Sequence, residues 1–513
     1  MSTPPPRYGI TTAIYYANGR PHIGHAYESI ATDWLARFAR LDGRDTFFLT
    51  GNDEHGLKIA QTAQRAGLAP REFVDSLANE FIWMANNLNI SYDYFIRTTD
   101  AVHKACAQAM WQRMADSGDL YLDRYEGWYS VRDEAYYDAD ELVDGPDGKR
   151  LAPSGTPVEW TVEESWFFRL SRYQGRLLAL YDARPDWLQP ASRLNEMRAF
   201  VARGLKDLSV SRTSFDWGIP VPGSPGHVMY VWVDALASYV TPSGWPADGW
   251  EARWPVSLHV IGKDITRFHA VYWPAFLMSA GLPLPDQIFS HGFLLNRGEK
   301  MSKSLGNVVA PGDLAALFGV DPLRYFLLRA IRFGEDGDWS HELVGRRINA
   351  DLANDLGNLA QRTLSMIARA GGRVPVASPR TPADEALLES VRTLLAEARA
   401  AHRAVRPDLA LDAIWARVTA VNAYLNEQAP WALRKTDPGR AEVVLYHAAE
   451  AIRRIALLVQ PAMPTSASRL LDQLAVKEDR RSFRYFDDEL QTGVELPSPT
   501  GVFPRWEPPL EAA

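Results

Sequence analysis

Pro21-His22-Ile23-Gly24-His25 places two imidazoles three residues apart around a glycine, after a β-branched and aromatic stretch and at the opening of a helical pattern. At a helix start the first backbone N–H groups lack partners and the dipole is positive, so an anion is stabilised there. Gly24 lets a ligand come close to the backbone. The two histidines add directed donors, each worth roughly 2.7–4 kcal/mol to a group that gains negative charge in a transition state. The expectation is phosphoryl chemistry, set against the plainer reading of two histidines that only satisfy backbone groups. Lys300-Met301-Ser302-Lys303-Ser304, between Gly298 and Gly306, is the second cluster. Its two ammonium groups can fold over a triphosphate and neutralise a leaving pyrophosphate. A solvated basic loop would explain the spacing but not the order of the two motifs.

Elements of two kinds must position these groups. Ile10 to Tyr16 reads as a buried strand and Ala17-Asn18-Gly19 as a turn. Tyr27, Ile30, Ala31, Trp34, Leu35 and Phe38 follow helical spacing, and Thr46 to Thr50 reads as the next strand. This strand–helix–strand unit predicts a parallel sheet with ligands outside the carboxyl ends of its strands. Turn-rich, aromatic-rich sequence interrupts the alternation over 117–215, and strands return at Leu258–Ile261 and Gln287–Ser290. Beyond about Ala330 the strand patterns stop. Three apolar stripes follow: Leu388, Val391, Leu395 and Ala398; Leu411, Ile414, Trp415, Val418 and Leu425; Val444, Ala448, Ile452 and Ile455. The fold class expected is α/β, a Rossmann-like parallel sheet split by a connective insert and followed by an all-α bundle.

A chain of 513 residues exceeds a single core and implies two to four domains. No apolar run reaches the roughly 18–20 residues that span a bilayer, and the opening MSTPPPRYGI lacks the regions of a signal peptide, so no membrane association and a cytoplasmic location are expected. Cys106 is the only cysteine, which excludes an intramolecular disulfide and a thiolate zinc site; any metal must come with the substrate. The net charge of −8 excludes a globally basic nucleic-acid binder. A local basic surface is expected where arginines crowd helical sequence, at Arg346, Arg347, Arg362, Arg369 and Arg373, then Arg392, Arg399, Arg403 and Arg406. A solvated helical face remains the alternative there.

PHIGH and KMSKS resemble the two defining motifs of the class I aminoacyl-tRNA synthetases. YYANGRPHIGHAY, TGNDEHGLKI, SFDWGIPVPG, YVWVDAL, VIGKDITRFHAVYWPA, NADLANDLGN and NEQAPW resemble the methionyl-tRNA synthetase family, over about Tyr8 to Trp431. The resemblance implies that His22, Gly24 and His25 contact ATP, with His22 and His25 stabilising the transition state. It implies that Lys300 and Lys303 bind the phosphates, that Gly262 and Asp264 bind adenosine, and that Asp53 meets the substrate ammonium. It implies a methionine pocket of Ala13, Ile14, Tyr16, Trp232, Ala235, Leu236, Tyr239 and His291. Independently, the strand-end aromatics Tyr16, Trp232 and Tyr239 could enclose a thioether, which packs well on rings. Asn422 and Trp431 fall in the segment that reads the anticodon in the family. Asn422 also lies four residues after Val418 on an apolar stripe, where a buried structural asparagine is the alternative.

The expected division is a catalytic domain in two halves (1–116 and 216–330) around the insert (117–215), a stem-contact region (331–375) and an anticodon-binding bundle (376–513). The expected substrates are L-methionine, ATP with Mg²⁺, and initiator and elongator tRNA(Met), without structural zinc. No extra tRNA-binding or dimerisation domain, of the kind attached to some family members, is expected after the bundle, and a monomer is expected. An insert of about a hundred residues is too short for the editing domain that discrimination among small apolar side chains often demands, against an isoleucine, leucine or valine enzyme. The lack of metal ligands disfavours a cysteine enzyme. A catalytically silent RNA-binding relative would be expected to have lost a motif histidine or lysine, and all four are present.

Overall fold

A computed structural model of the chain describes residues 5–133, 135–145, 148–296, 298–300 and 309–508. Its centre is a seven-stranded sheet in which every pairing is parallel: β1 (Arg7–Thr11), β2 (Tyr15–Tyr16), β3 (Asp45–Asp53), β4 (Tyr94–Arg97), β5 (Leu188–Gln189), β6 (Leu258–Gly262) and β7 (Ile288–His291). The order β5-β7-β6-β1-β3-β4, with β2 paired to the end of β3, reverses direction between β6 and β1. A crevice at the carboxyl edge is expected at that switch point. The α/β class and the helical C-terminal region follow the sequence expectation.

Three local details differ from the sequence reading. The strand expected over Ile10–Tyr16 breaks after Thr11, because the Ala13 N–H bonds the Glu28 carboxylate (2.9 Å) instead of a neighbouring strand. The two-residue β5, inside the span read as insert, pairs with β7. Gly337–Trp339, beyond the point where strands were expected to stop, pairs with Leu294–Asn296. The rest of the 117–215 span carries a four-stranded antiparallel sheet, in the order Leu208–Ser209, Glu159–Phe168, Leu120–Ser130, Ala135–Tyr137.

Helix α1 (Ile23–Leu41) crosses the sheet and joins it to the bundle. Its Asp33 is fully buried and accepts from Arg324 (2.6 Å) and Arg37 (2.7 Å) and from the Ser91 N–H (2.7 Å). Burial raises the Asp33 pKa, but Arg324, Arg37 and Ser91 outweigh it and hold the carboxyl below its usual value. Arg324, on α2 (Val320–Arg329), also donates to the carbonyls of Leu88, Pro461 and Ala462, so one guanidinium binds the end of the helix Pro70–Asn87, α1 and the end of a bundle helix. His402 Nε2 lies 3.0 Å from the Leu35 carbonyl, and Arg399 pairs with Asp42. All the predicted apolar stripes are buried, on α3 (Pro382–Arg392), α4 (Leu394–Arg403), α5 (Pro407–Gln428) and α6 (Pro438–Val459). The Pro-rich tail returns to the body: Trp506 exchanges hydrogen bonds with Asn349 and lies so close to Gly345 that a side chain there would meet its ring at 2.3 Å.

Removing one partner of a buried pair strands a charge, so Arg324→Met should lower the unfolding free energy by about 3–5 kcal/mol. Calorimetry should register this as a lower thermal midpoint. Since the Asp33 value is depressed, the stabilisation is present above the ordinary aspartate range, near pH 4, and is lost as acid carries the pH through the lowered value. An unchanged midpoint would contradict the role given to this pair.

Candidate active site

The carboxyl edge of the sheet opens into a cavity of about 570 Å³. Ala13, Ile14 and Tyr16 come from the broken end of β1 and from β2, Asp53 from β3, Gly262 and Asp264 from the end of β6, and His291 from β7. His22, Gly24 and His25 come from the start of α1; Trp232, Ala235, Leu236 and Tyr239 come from the helix Val231–Ala237 and its exit. All the expected methionine- and nucleotide-site residues other than the two lysines therefore line one cavity. Lys300 is placed only as the end of the short strand Glu299–Lys300, paired with Leu295, and Lys303 lies outside the described residues. Ile23 N–H donates to the carbonyl of Val309, so the first turn of α1 meets the chain where the described residues resume after 300.

Both motif histidines cap α1. His22 Nδ1 accepts from the Gly24 N–H (3.1 Å) and His25 Nδ1 from the His22 N–H (3.1 Å), with the rings stacked 3.7 Å apart. The plain role and the chemical one are thus compatible: with both Nδ1 atoms accepting, the proton of each neutral imidazole is on Nε2, where it can be donated. Gly24 is needed for this cap, since a Cβ there would sit 3.0 Å from the His22 ring.

The apolar recess contains residues that the sequence reading did not single out. Phe268 stacks on Trp232 at 3.8 Å with an interplanar angle of 5°, and His269 Nε2 lies 2.7 Å from the Tyr239 hydroxyl. Burial pushes the His269 pKa down to about 4, so the ring is neutral. Its Nδ1 faces the Ile265 carbonyl at 3.0 Å and must carry the proton, leaving Nε2 to accept the Tyr239 O–H. Ile265, Phe268 and His269 have the i, i+3, i+4 spacing of one helix face, a signal present in GKDITRFH. A π-helical turn over Phe268–Tyr272 shapes this stretch.

Two buried carboxylates hold the walls. Asp234 accepts from His55 Nδ1 (2.6 Å) and His103 Nε2 (2.7 Å), tying the pocket helix to the segment that carries Asp53. Burial raises its pKa, and the two histidines more than offset this, to about 2. Glu28 holds the Ala13 N–H with one oxygen and His291 Nε2 with the other (2.8 Å), while His291 Nδ1 faces the Gly292 carbonyl (2.8 Å). Both imidazole nitrogens of His291 therefore face oxygen acceptors, so the pair retains one extra proton. Burial raises the Glu28 pKa; at His291 burial lowers the value but the carboxylate raises it further.

On the bundle, Trp431 is 48% exposed. Asn422 is half-buried, with its carbonyl oxygen on Arg362 (2.8 Å) and its amide toward Asp355 (3.4 Å). Arg362 also reaches Asn426 (3.1 Å), so neutral amides rather than carboxylates hold its charge. The arginine-rich run is otherwise largely paired: Arg347 with Asp351, Arg373 with Glu495, Arg392 with Glu389, Arg399 with Asp42 and Arg406 with Asp408.

A family model described as tRNA synthetases class I (M) matches residues 8–364, and one described as the anticodon binding domain of methionyl tRNA ligase matches 374–507. Methionine–tRNA ligases of Brucella suis and Mycobacterium tuberculosis are 56% and 54% identical to this chain, each comparison covering 98% of both chains. The chain belongs to the methionyl-tRNA synthetase family. As a member of that family it is a class I aminoacyl-tRNA ligase. The solved structure of Mycobacterium tuberculosis methionyl-tRNA synthetase in complex with methionyl-adenylate superposes with a TM-score of 0.96 at 53% identity, covering 98% of this chain and 100% of that one. The free-state structure of the same methionyl-tRNA synthetase gives 0.88 at 50% identity, covering 98% and 99%. No helix among the described residues is long and apolar enough to cross a membrane.

Glu28→Gln keeps an acceptor for the Ala13 N–H but removes the charge that holds the His291 proton. The His291 titration, followed by NMR of selectively labelled imidazole, should move below the ordinary histidine range in the variant, leaving the ring neutral at pH 7. The wild-type ring should lose its proton only as pH rises above that range. An unaltered titration would contradict the shared-proton arrangement.

Proposed function

We propose that this protein joins L-methionine to ATP and then charges tRNA(Met), initiator and elongator, working as a cytoplasmic monomer. The observation that carries the reading is one cavity holding both a histidine-capped helix start and an uncharged aromatic recess. Phosphate and thioether could be received side by side.

In the first step a methionine carboxylate oxygen attacks the α-phosphorus, forming the acyl–phosphate bond as the bond to pyrophosphate breaks. The Nε2–H groups of His22 and His25 donate to the phosphate as its charge grows. ATP enters as its Mg²⁺ complex, which supplies charge neutralisation on the phosphates. Lys300 and Lys303 hold those phosphates and neutralise the pyrophosphate, Lys303 foremost. Gly262 and Asp264 receive the adenosine, where a carboxylate can accept ribose hydroxyls, and Asp53 receives the substrate ammonium. The side chain enters the recess of Ala13, Ile14, Tyr16, Trp232, Ala235, Leu236, Tyr239, Phe268 and His269. With the phenol proton committed to His269, the recess offers polarisable surface and no net charge, which suits a thioether. His291 acts through Glu28, which holds the Ala13 backbone in place. In the second step the terminal ribose hydroxyl of tRNA attacks the acyl carbon and AMP leaves. No covalent enzyme intermediate is required.

Residues 331–375 would contact the stem of the tRNA and 376–513 its anticodon, where exposed Trp431 offers a stacking surface; Arg362, in the stem-contact region and positioned by Asn422, adds a cation beside the bundle. The insert carries no thiolate set, since Cys106 lies outside it, and is read as zinc-free.

ATP–pyrophosphate exchange across the standard amino acids tests the reading. Methionine alone should support rapid exchange, and Lys303→Ala or His22→Ala should slow adenylate formation about a hundredfold or more. Equal exchange with isoleucine or leucine would overturn the substrate, and no exchange with any amino acid would point to a silent RNA-binding relative. Trp431→Ala should raise the tRNA KM or cut aminoacylation about tenfold while leaving exchange near normal, since stacking on a base is worth roughly 1–3 kcal/mol. A parallel loss in both reactions with lower thermal stability would make Trp431 a packing residue.

A further inference from the structure

The insert reaches over the mouth of the active-site cavity through the turn that ends its first long strand. Asp133 pins this turn: its carboxylate accepts from Thr156 (2.7 Å), from Tyr137 (3.0 Å) and from Ser154, while its own N–H donates to Ser130 (3.2 Å). Lys206–Asp138 at 2.7 Å ties the hairpin to the last part of the insert, and Arg267–Glu141 at 3.4 Å latches it to the body. The residue this scaffold presents is Arg132, which lines the cavity and is exposed.

Arg132 differs from the other arginines around the site. Arg97 is paired with Glu54 and Asp75, Arg267 with Glu141 and Arg20 with Glu80. Among the described residues the Arg132 guanidinium makes no ion pair or hydrogen bond. Its backbone carbonyl accepts from Lys58 Nζ (3.5 Å), which brings a second cation beside it. A rigid turn that holds an uncompensated guanidinium at a cavity mouth is suited to an oxyanion that arrives from solvent, and a planar fork of donors matches a phosphodiester. Lys58, the residue that reaches the Arg132 backbone, lies on the helix Leu57–Arg65 that follows Asp53, which is read as the ammonium site.

We propose that Arg132 is a positioning residue for the second half-reaction: it holds a phosphodiester of the 3′ end of the tRNA so that the terminal ribose reaches the acyl carbon. This rests on the methionyl-tRNA synthetase reading above. No bond is made or broken at Arg132.

The test separates the two half-reactions in the full-length protein. Single-turnover transfer from preformed adenylate to tRNA should fall about tenfold or more in Arg132→Ala, as loss of one charge-assisted contact entails, with ATP–pyrophosphate exchange within twofold of wild type. Arg132→Lys should recover part of the transfer rate, because charge without the fork retains part of the contact. Arg124→Ala, on the same insert but paired with Glu126 and outside the cavity lining, should leave both reactions unchanged. Equal loss of exchange and transfer in Arg132→Ala would place the residue on ATP or in the scaffold and overturn the proposal. Normal transfer would overturn it too, by making Arg132 a solvated side chain. Failure of the wild-type protein to exchange with methionine would instead remove the underlying reading.

Discussion

Asp33 and Arg324 are buried together at the point where helix α1, the end of the helix Pro70–Asn87 and the bundle meet, and the remaining architecture is arranged about that contact. Two charges taken out of water are tolerable only when their donors and acceptors are used, and here Arg37, Ser91 and the carbonyls of Leu88, Asn89, Pro461 and Ala462 complete the set. The consequence for chemistry lies at the other end of α1. Because Asp33 fixes the helix body, the first turn with its two capping histidines is held at the carboxyl edge of the sheet, where the Ile23 N–H also bonds the Val309 carbonyl.

The cavity obeys the same rule at smaller scale. Charges that serve structure are paired and buried: Asp234 between two histidines, Glu28 between Ala13 and His291. The recess built on them is kept uncharged, with His269 neutral and its one proton committed to Ile265. A polarisable, uncharged pocket next to a histidine-capped helix start is a combination suited to a thioether amino acid and a phosphate. The two carboxylates set the positions of the Ala13 backbone, His291 and the helix that carries Trp232.

Much of this was legible in the residues. The parallel sheet and the apolar stripes of the bundle follow from local spacing, because helix and strand periodicities register in neighbouring residues, whereas most of the cavity lining was implied by the resemblance to the methionyl-tRNA synthetases. What escaped depends on partners far along the chain. The break in the first strand is caused by Glu28, the strand at Leu188 is two residues long and gains its identity only from Ile288, and Gly337–Trp339 becomes a strand only beside Leu294–Asn296. His269 had a local signal, its helical spacing from Ile265, but nothing in that spacing tells that Tyr239 lies across from it. The arginine-rich run left a local basic surface and a solvated helical face both open, and spacing along the chain could not tell that Asp42, Asp351, Asp408, Glu389 and Glu495 pair with five of its arginines.

The central claim is that one cavity seats a thioether and an α-phosphate together. A crystal structure of this protein with a non-hydrolysable methionyl-adenylate analogue tests it most directly. The account predicts the sulfur within about 4 Å of the Trp232, Tyr239 and His269 side chains, with the phosphate-like group at the Nε2 atoms of His22 and His25. A methionyl side chain lodged away from those rings, or a phosphate-like group distant from both histidines, would contradict it.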